Sequence, residues 1–118
     1  MIAPQEVNLT IYQGATYRKS WDLQSNDTPM DLTGWTARMQ IREKLKSEVI
    51  LHELTTENDG IVIDVAAEYT RLSLYINPAD TASFPVKKGV YDLELIDING
   101  DVARLLMGNV VIDQEVTR

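Results

Sequence analysis

Residues 35–42, with the sequence WTARMQIR, decide the fold class of this chain of 118 residues. Positions 35, 37, 39 and 41 are apolar, and each is followed by a polar residue. Successive side chains of a β-strand point to opposite faces, so this alternation indicates a strand with one buried and one solvated face. Helical spacing fits the stretch poorly, and the sequence therefore predicts a strand here.

The same period of two continues over much of the chain. Apolar residues alternate with other residues over 7–11, 61–65, 72–76 and 91–95. With turn signals about every 8–12 residues, these segments indicate about eight short strands, a pattern typical of an antiparallel β-sandwich. We expect residues 1–118 to form a single domain of this kind, with a small barrel as the alternative architecture.

Turn signals separate the predicted strands. The segment 25–29 is a polar cluster of turn-forming residues. Asp59-Gly60 and Asn99-Gly100 are two-residue hairpin signals, because these dipeptides tolerate the positive φ angles of a type I′ turn. We therefore predict a hairpin at each dipeptide.

Two further irregularities are predicted along the strands. Residues 43–48 are rich in charge, and we expect a loop or hairpin tip there, followed by a strand that includes the β-favouring residues 49–51. The last strand changes phase, since its apolar residues have odd numbers up to position 107 and even numbers from position 110. This change predicts a β-bulge at Gly108 that redirects the following side chains.

One short segment has the sequence of a helix start. Asn77, Pro78 and Asp80 supply an N-cap, a proline at the first helical position and an acidic residue in the first turn. These residues predict a short helical turn near 77–83. Such a turn, with Tyr91 early in the next strand, suits an immunoglobulin-like sandwich, in which that tyrosine bonds back to the preceding corner. We therefore predict an all-β, immunoglobulin-like antiparallel β-sandwich.

Composition limits the functions open to the chain. Its net charge of −7 disfavours binding to nucleic acid or to an anionic membrane surface. The absence of cysteine excludes disulfides, thiolate zinc sites and thiol nucleophiles. Residues 1–6 do not resemble a signal peptide, and no apolar run approaches the roughly 20 residues of a membrane span. We expect a protein made in a cytoplasm, with neither nucleic acid nor membrane as a partner.

Catalytic chemistry has few candidate residues. His52 is the single histidine, and the spacing supplies neither a nucleophile nor an orienting partner, so we expect a surface residue. Neither a G-x-S-x-G nucleophile elbow nor a glycine-rich phosphate loop is present. Asp92 and Glu94 share one strand face and could form the acid–base pair of a glycoside hydrolase. A cross-strand charge ladder with Arg38 and Arg42 is the simpler interpretation.

Other candidate ligand sites also have simpler structural interpretations. Residues 97–101, DINGD, suggest a calcium loop, but their spacing does not fit an EF-hand, and a hairpin is favoured. Trp21 and Trp35 could form a sugar-binding platform, although their apolar neighbours favour core packing. Tyr75 is a candidate exposed aromatic for a protein contact. We therefore predict no catalytic, cofactor-binding or metal-binding residues, and a protein that is not an enzyme.

Several phrases together resemble one protein family. Residues 31–42 (DLTGWTARMQIR), 91–95 (YDLEL), 104–108 (RLLMG) and 115–118 (EVTR) are similar in order and spacing to a family of small virion proteins of tailed bacteriophages and prophages. The resemblance runs from about position 7 to the end of the chain. The first half is also similar to the N-terminal sandwich domain of phage baseplate upper proteins.

This resemblance implies a virion structural protein that acts by binding. It implies a tail- or baseplate-associated adaptor that docks a fibre, spike or tail ring, made in the host cytoplasm and present in the virion in multiple copies. A capsid decoration protein is the alternative, and a carbohydrate-binding module is the alternative from another class. Edge strands are natural docking points, so we expect the surface to include residues 7–12 and the C-terminal segment. The net charge favours a basic partner surface.

Overall fold

The structure is a computed structural model, and it describes residues 4–117. Those residues contain eleven strands and one short helix. In chain order the elements are β1 (Gln5–Glu6), β2 (Leu9–Tyr12), β3 (Tyr17–Asp22), β4 (Gln24–Ser25), β5 (Thr28–Pro29), β6 (Thr36–Arg42), β7 (His52–Thr55), β8 (Ile61–Val65), β9 (Thr70–Ile76), α1 (Pro78–Ala82), β10 (Lys88–Ile96) and β11 (Val102–Asp113). Eight of the strands have four or more residues, which agrees with the predicted number.

The strands form two main sheets and one small hairpin. The larger sheet has the order β1-β11-β10-β6-β7, and β2 continues the edge that β1 begins beside β11. Both β1 and β2 run parallel to β11, whereas the other neighbours are antiparallel. The second sheet has the antiparallel order β3-β9-β8, and β4 pairs with β5. The predicted all-β sandwich is confirmed, and its strands divide between two main sheets.

Alternating residues of the two sheets meet in one core. Twenty apolar side chains of the described residues form a single buried cluster. On the decisive strand β6, the buried residues are Ala37, Met39 and Ile41, as the alternation predicts. Burying one large aliphatic side chain contributes about 1.5–3 kcal/mol. A cluster of this size can therefore hold the sandwich together without disulfides.

The predicted hairpin at Asn99-Gly100 is confirmed in position, but its geometry is not type I′. The Gly100 N–H donates to the Asp97 carbonyl at 3.0 Å, and only the glycine of this dipeptide has a positive φ, +88°. This combination is typical of a type I turn that ends in a glycine bulge. Two consecutive positive φ angles occur instead at Asn26 and Asp27, in the two-residue loop between β4 and β5.

The predicted hairpin at Asp59-Gly60 is wrong. The dipeptide lies between β7 of the larger sheet and β8 of the smaller sheet, so it carries the chain from one sheet to the other. The Asn58 side chain organises this crossover, since its Oδ1 accepts hydrogen bonds from the N–H groups of Thr55 and Gly60 at 2.9 and 2.8 Å. A local turn signal does not reveal which sheet the next strand joins.

The predicted phase change in the last strand occurs, but the bulge is not at Gly108. Leu93 pairs with Leu106 and Glu94 with Arg104, so Leu105 is the extra residue. Leu105 and Leu106 are both buried, which is the local signature of the register shift. The bulge therefore lies three positions before the predicted one.

The predicted helical turn near 77–83 and the predicted hairpin tip at 43–48 are both confirmed, but the strand after the tip starts later than predicted. Asn77 caps α1 by accepting a hydrogen bond from the Asp80 N–H at 2.8 Å. Residues 43–51 connect the antiparallel strands β6 and β7, so the charged stretch is a hairpin tip. The strand starts only at His52, because Val49 and Ile50 are 70% and 40% exposed and pack on no core face.

Candidate docking surface

The candidate docking surface is the side of the sandwich where β2 and β3 are each the edge of their sheet. A groove of about 370 Å³ lies between these two strands, and we call it the lateral groove. Its lining includes Leu9, Thr10 and Tyr12 from β2 and Tyr17, Arg18 and Lys19 from β3. The buried side chains of Leu9 and Tyr17 form the floor, and the other four are exposed.

The two segments expected to form the surface are adjacent in the fold. Strand β2 pairs with the last four residues of β11, from Val110 to Asp113. Beyond the strands, the Gln13 N–H donates to the Asp113 carbonyl at 2.9 Å, and the Gln13 side chain accepts from the Glu115 N–H at 3.2 Å. Strand β2 and the segment that follows β11 as far as Glu115 therefore form one continuous edge.

A break in this edge strand is held by side chains. The Val7 N–H donates to the Met107 carbonyl at 2.8 Å, and the Asn8 side chain replaces a backbone acceptor by binding the Asn109 N–H at 3.0 Å. A Cβ at Gly108 would lie 2.3 Å from the Val7 carbonyl oxygen, so glycine permits this close approach. That contact, rather than a bulge, explains the glycine.

The Tyr91 hydroxyl does not bond to the preceding corner, as an immunoglobulin-like tyrosine corner would require. It donates to the Val7 carbonyl oxygen at 2.6 Å and so joins β10 to the break between β1 and β2. Burial raises the pKa of Tyr91 to about 12, with a smaller contribution from Tyr17. Burial also raises the pKa of Tyr17 to about 12. The two phenols therefore stay neutral at physiological pH.

Two cations of β3 lie on opposite faces of that strand, since Lys19 pairs with the buried Leu74 and Arg18 with Tyr75 on the outer face. The Arg18 guanidinium lies 4.7 Å from the centre of the Tyr75 ring, and the Lys19 ammonium lies 6.0 Å from the centre of the Trp21 indole. Neither cation forms a salt bridge with the residues that the structure describes. Tyr75 is 36% exposed, as the sequence predicts. These contacts hold the cations in place and leave their charge unpaired.

The outer face of the larger sheet carries a second groove, of about 430 Å³, beneath the 43–51 loop. The predicted charge ladder on this face is only half correct. Arg38 binds Glu94 at 2.8 Å, whereas Asp92 lies 3.6 Å from Arg104 rather than beside Arg42. The Arg42 guanidinium instead donates to backbone and amide oxygens of its own hairpin. These pairs are exposed and each contributes only about 0.2–1 kcal/mol.

The other candidate site residues have structural roles. His52 is half-buried rather than on the surface, because β7 turns its ring toward Phe84, with ring centres 6.0 Å apart. Burial lowers the pKa of His52. The Asp97 carboxylate accepts hydrogen bonds from the N–H groups of Asn99 and Asp101, as in a hairpin. Trp21 and Trp35 are half-buried against the core.

Residues 4–117 offer no candidate for a metal centre or for a membrane-spanning helix. This part of the chain has no group of three or more His, Cys, Asp or Glu that could hold a metal ion. Its one helix is too short to span a membrane. No protein-family model matches the chain, and neither does any curated protein.

Sequence reasoning missed the lateral groove, although a signal was present. Tyr17, Lys19 and Trp21 share one face of β3 and pair with the buried residues Ile76, Leu74 and Leu72. A lysine therefore stands at a position where the alternation predicts an apolar side chain. Inward-pointing charges on an edge strand disfavour its pairing with strands of other molecules, so this lysine is a sequence signal of a sheet edge.

Proposed function

We propose that this chain is a structural protein of a tailed-bacteriophage virion, an adaptor at the tail or baseplate that docks other virion components through protein contacts. The order and spacing of the phrases at 31–42, 91–95, 104–108 and 115–118 support the virion class. The observation that carries the docking role is the continuous open edge formed by β2 and the C-terminal segment.

The backbone of β2 supports docking by strand addition. Gln13 donates its N–H to β11, and successive residues of a strand direct their backbone groups to alternate sides. The N–H and C=O groups of Thr10 therefore point away from β11. An extended partner segment could pair with them, in the mode that many peptide-recognition domains use. With several copies in one particle, weak single contacts would combine into firm attachment.

The test is made on particles of the phage or prophage that encodes the chain. Quantitative mass spectrometry of purified particles should find the chain at a fixed ratio to a tail protein. Deletion of its gene should yield particles that lack a fibre, spike or tail ring in electron microscopy, and re-expression should restore it. Absence of the chain from purified particles would refute the virion role, and density on the capsid shell would refute the tail location.

Two proline variants test the edge within the same experiment. Thr10→Pro removes an N–H that faces away from β11, so the fold should tolerate it while strand addition is blocked. Leu45→Pro is the matched control, because Leu45 is exposed and follows the first residue of the turn closed by Ser47 and Lys44. Only Thr10→Pro should reduce incorporation. Equal incorporation of both variants would refute docking along β2.

A further inference from the structure

Strand β8 is an open edge of the smaller sheet, on the side of that sheet opposite β3. The Gly60 carbonyl and the Ala66 N–H, on either side of β8, hydrogen-bond to residues in or next to β9 at 2.9 and 2.8 Å. Successive residues of a strand direct their backbone groups to alternate sides, so the even-numbered residues of β8 face β9. The odd-numbered residues, whose N–H and C=O groups point away from the sheet, are Ile61, Ile63 and Val65. Nothing among residues 4–117 hydrogen-bonds to these outward groups.

Neighbouring sheet edges are protected in ways that β8 is not. On β7, the Asn58 side chain accepts from the Thr55 N–H at 2.9 Å and donates to the Glu53 carbonyl at 3.0 Å, so it occupies the outward backbone groups. Strand β3 carries the inward Lys19, a charge of the kind that disfavours pairing. Strand β8, with the sequence IVIDV, has neither a proline nor an inward charge, since Asp64 lies on its outer face. Its edge is therefore available to another strand.

We propose that β8 pairs with β8 of a second copy of this chain, antiparallel about a two-fold axis at Ile63. The two smaller sheets would then form one sheet of six strands. This axis places Ile63 opposite its own counterpart and Ile61 opposite Val65 of the second copy. In such directly opposed pairs, both residues exchange N–H and C=O bonds. All three outward N–H groups of each copy therefore gain a carbonyl acceptor.

The side chains of β8 are complementary to themselves in this register. On the core-facing side every cross-strand pair is apolar and β-branched, a combination that stabilises sheets. On the outer face Asp64 lies opposite Val62 of the second copy, so the two carboxylates are not opposed. An axis at Asp64 would oppose them, and an axis at Val62 would leave the outward groups of Val65 without a partner in β8. The axis at Ile63 is therefore the register that uses the whole edge.

The apolar side chains left exposed on β8 give the dimer its contact surface. Val62 and Val65 are 52% and 41% exposed, and a second copy would cover both. A standard interface has about 20–30 residues a side, whereas β8 has five, so we expect a dimer that dissociates on dilution. This inference goes beyond the proposed docking and does not depend on it, since a second copy on β8 leaves β2 open.

Sedimentation velocity on the purified full chain tests the dimer. The measurement is made in physiological salt, where the repulsion between two chains of net charge −7 is screened beyond about 8 Å. Between about 1 μM and about 1 mM, we expect a monomer that converts to a dimer and to no larger species. A chain that stays monomeric throughout, or that forms an open series of oligomers, would refute the two-fold pairing.

A lysine placed on β8 identifies the edge that pairs. Val65→Lys gives β8 the inward charge that β3 has at Lys19, and this charge would be buried against Ile61 of the second copy. It should raise the dissociation constant by about tenfold or more, although it lowers the net repulsion between the chains. Val49→Lys is the matched control, because Val49 is 70% exposed on the 43–51 loop and the change of charge is the same. Circular dichroism verifies that both variants fold, and equal dimerisation of the two would refute pairing along β8.

Single cysteines test the register, since the chain has no cysteine of its own. Val62→Cys and Asp64→Cys are both at exposed positions, and the proposed axis places them opposite each other, with Cα atoms about 4.5 Å apart. Under mild oxidation a mixture of the two variants should form a disulfide-linked dimer. Each variant alone should not, because identical residues are then two positions out of register and beyond about 7 Å. Val49→Cys mixed with Asp64→Cys measures cross-linking by random collision. Equal cross-linking in all these samples would refute the axis at Ile63.

Discussion

The Tyr91 hydroxyl offers a direct test of how the edge strand is held. Its ring is buried at 5% exposure, and its O–H donates to the Val7 carbonyl oxygen across the break between β1 and β2. Tyr91→Phe keeps the ring in the core and removes only this hydrogen bond. We expect the variant to fold with lower stability.

The size of the effect follows from the surroundings of the acceptor. Leaving a buried polar group without its partner costs about 1–3 kcal/mol. Val7 is half-buried, so water can partly replace the phenol, and we expect about 1–2 kcal/mol. For 118 residues the entropy of unfolding is about 0.25 kcal/mol per kelvin, which makes the expected decrease in Tm about 4–8 °C.

High pH supplies a second readout of the same substitution. The pKa values of Tyr17 and Tyr91 are raised from 10.0 to about 12 in the folded protein. Because the folded values are raised, the stabilisation is complete below about pH 10 and is lost as the pH rises toward about 12. The wild type loses the contributions of two phenols in this window, and Tyr91→Phe loses one. The stability difference between them should therefore narrow.

Urea unfolding at pH 8 and at pH 11 measures both effects. Tyr12→Phe is the matched control, because the Tyr12 side chain is 60% exposed. That variant should match the wild type at pH 8. Equal midpoints for Tyr91→Phe and the wild type at pH 8, or a constant difference at both pH values, would refute this account of the hydroxyl.

Three further substitutions test separate features of the fold. Gly108→Ala should cost about 1–3 kcal/mol in urea unfolding, because its Cβ would meet the backbone of Val7 at 2.3 Å, and equal stability to Asn109→Ala would contradict this. Asn77→Ala should cost about 1 kcal/mol in urea unfolding through loss of the N-cap, and Asn77→Ser should retain most of the stability because serine also caps well; equal destabilisation by both would show that capping is not the cause. The imidazole of His52 should titrate by NMR below 6.5, since burial lowers its pKa. The neutral imidazole stabilises the fold, and this contribution should be lost as the pH falls from 6.5 through the lowered pKa. His52→Gln should remove this pH dependence of the unfolding free energy. An NMR titration midpoint at or above 6.5 would contradict the account.

Local patterns in the sequence predict the elements better than their partners. The alternation at 35–42 and the cap at Asn77 depend on neighbouring residues, and both are confirmed. After Asp59-Gly60 the chain enters the smaller sheet rather than pairing with β7. Which sheet a strand joins depends on the strands available for pairing, and no local pattern contains that information. Gly108 shows a related limit, because a bulge and a close approach of another strand both favour glycine.

The candidate surface was predictable in part. Docking through residues 7–12 and the C-terminal segment stays a prediction, although the structure places the two segments side by side. The groove itself depends on the opposition of two sheet edges, β2 and β3, which sequence does not reveal. The net charge of −7 favours a partner with a basic surface, and this expectation stays a prediction.

The inward lysine of β3 explains how an open edge can be both safe and selective. Unpaired strand edges invite pairing with any apolar strand, including those of other copies. An apolar strand in the lateral groove would desolvate the Lys19 ammonium without compensation, which is costly for a charged group. Selectivity is a difference between affinities, so the inward Lys19 disfavours an unwanted apolar strand at this edge.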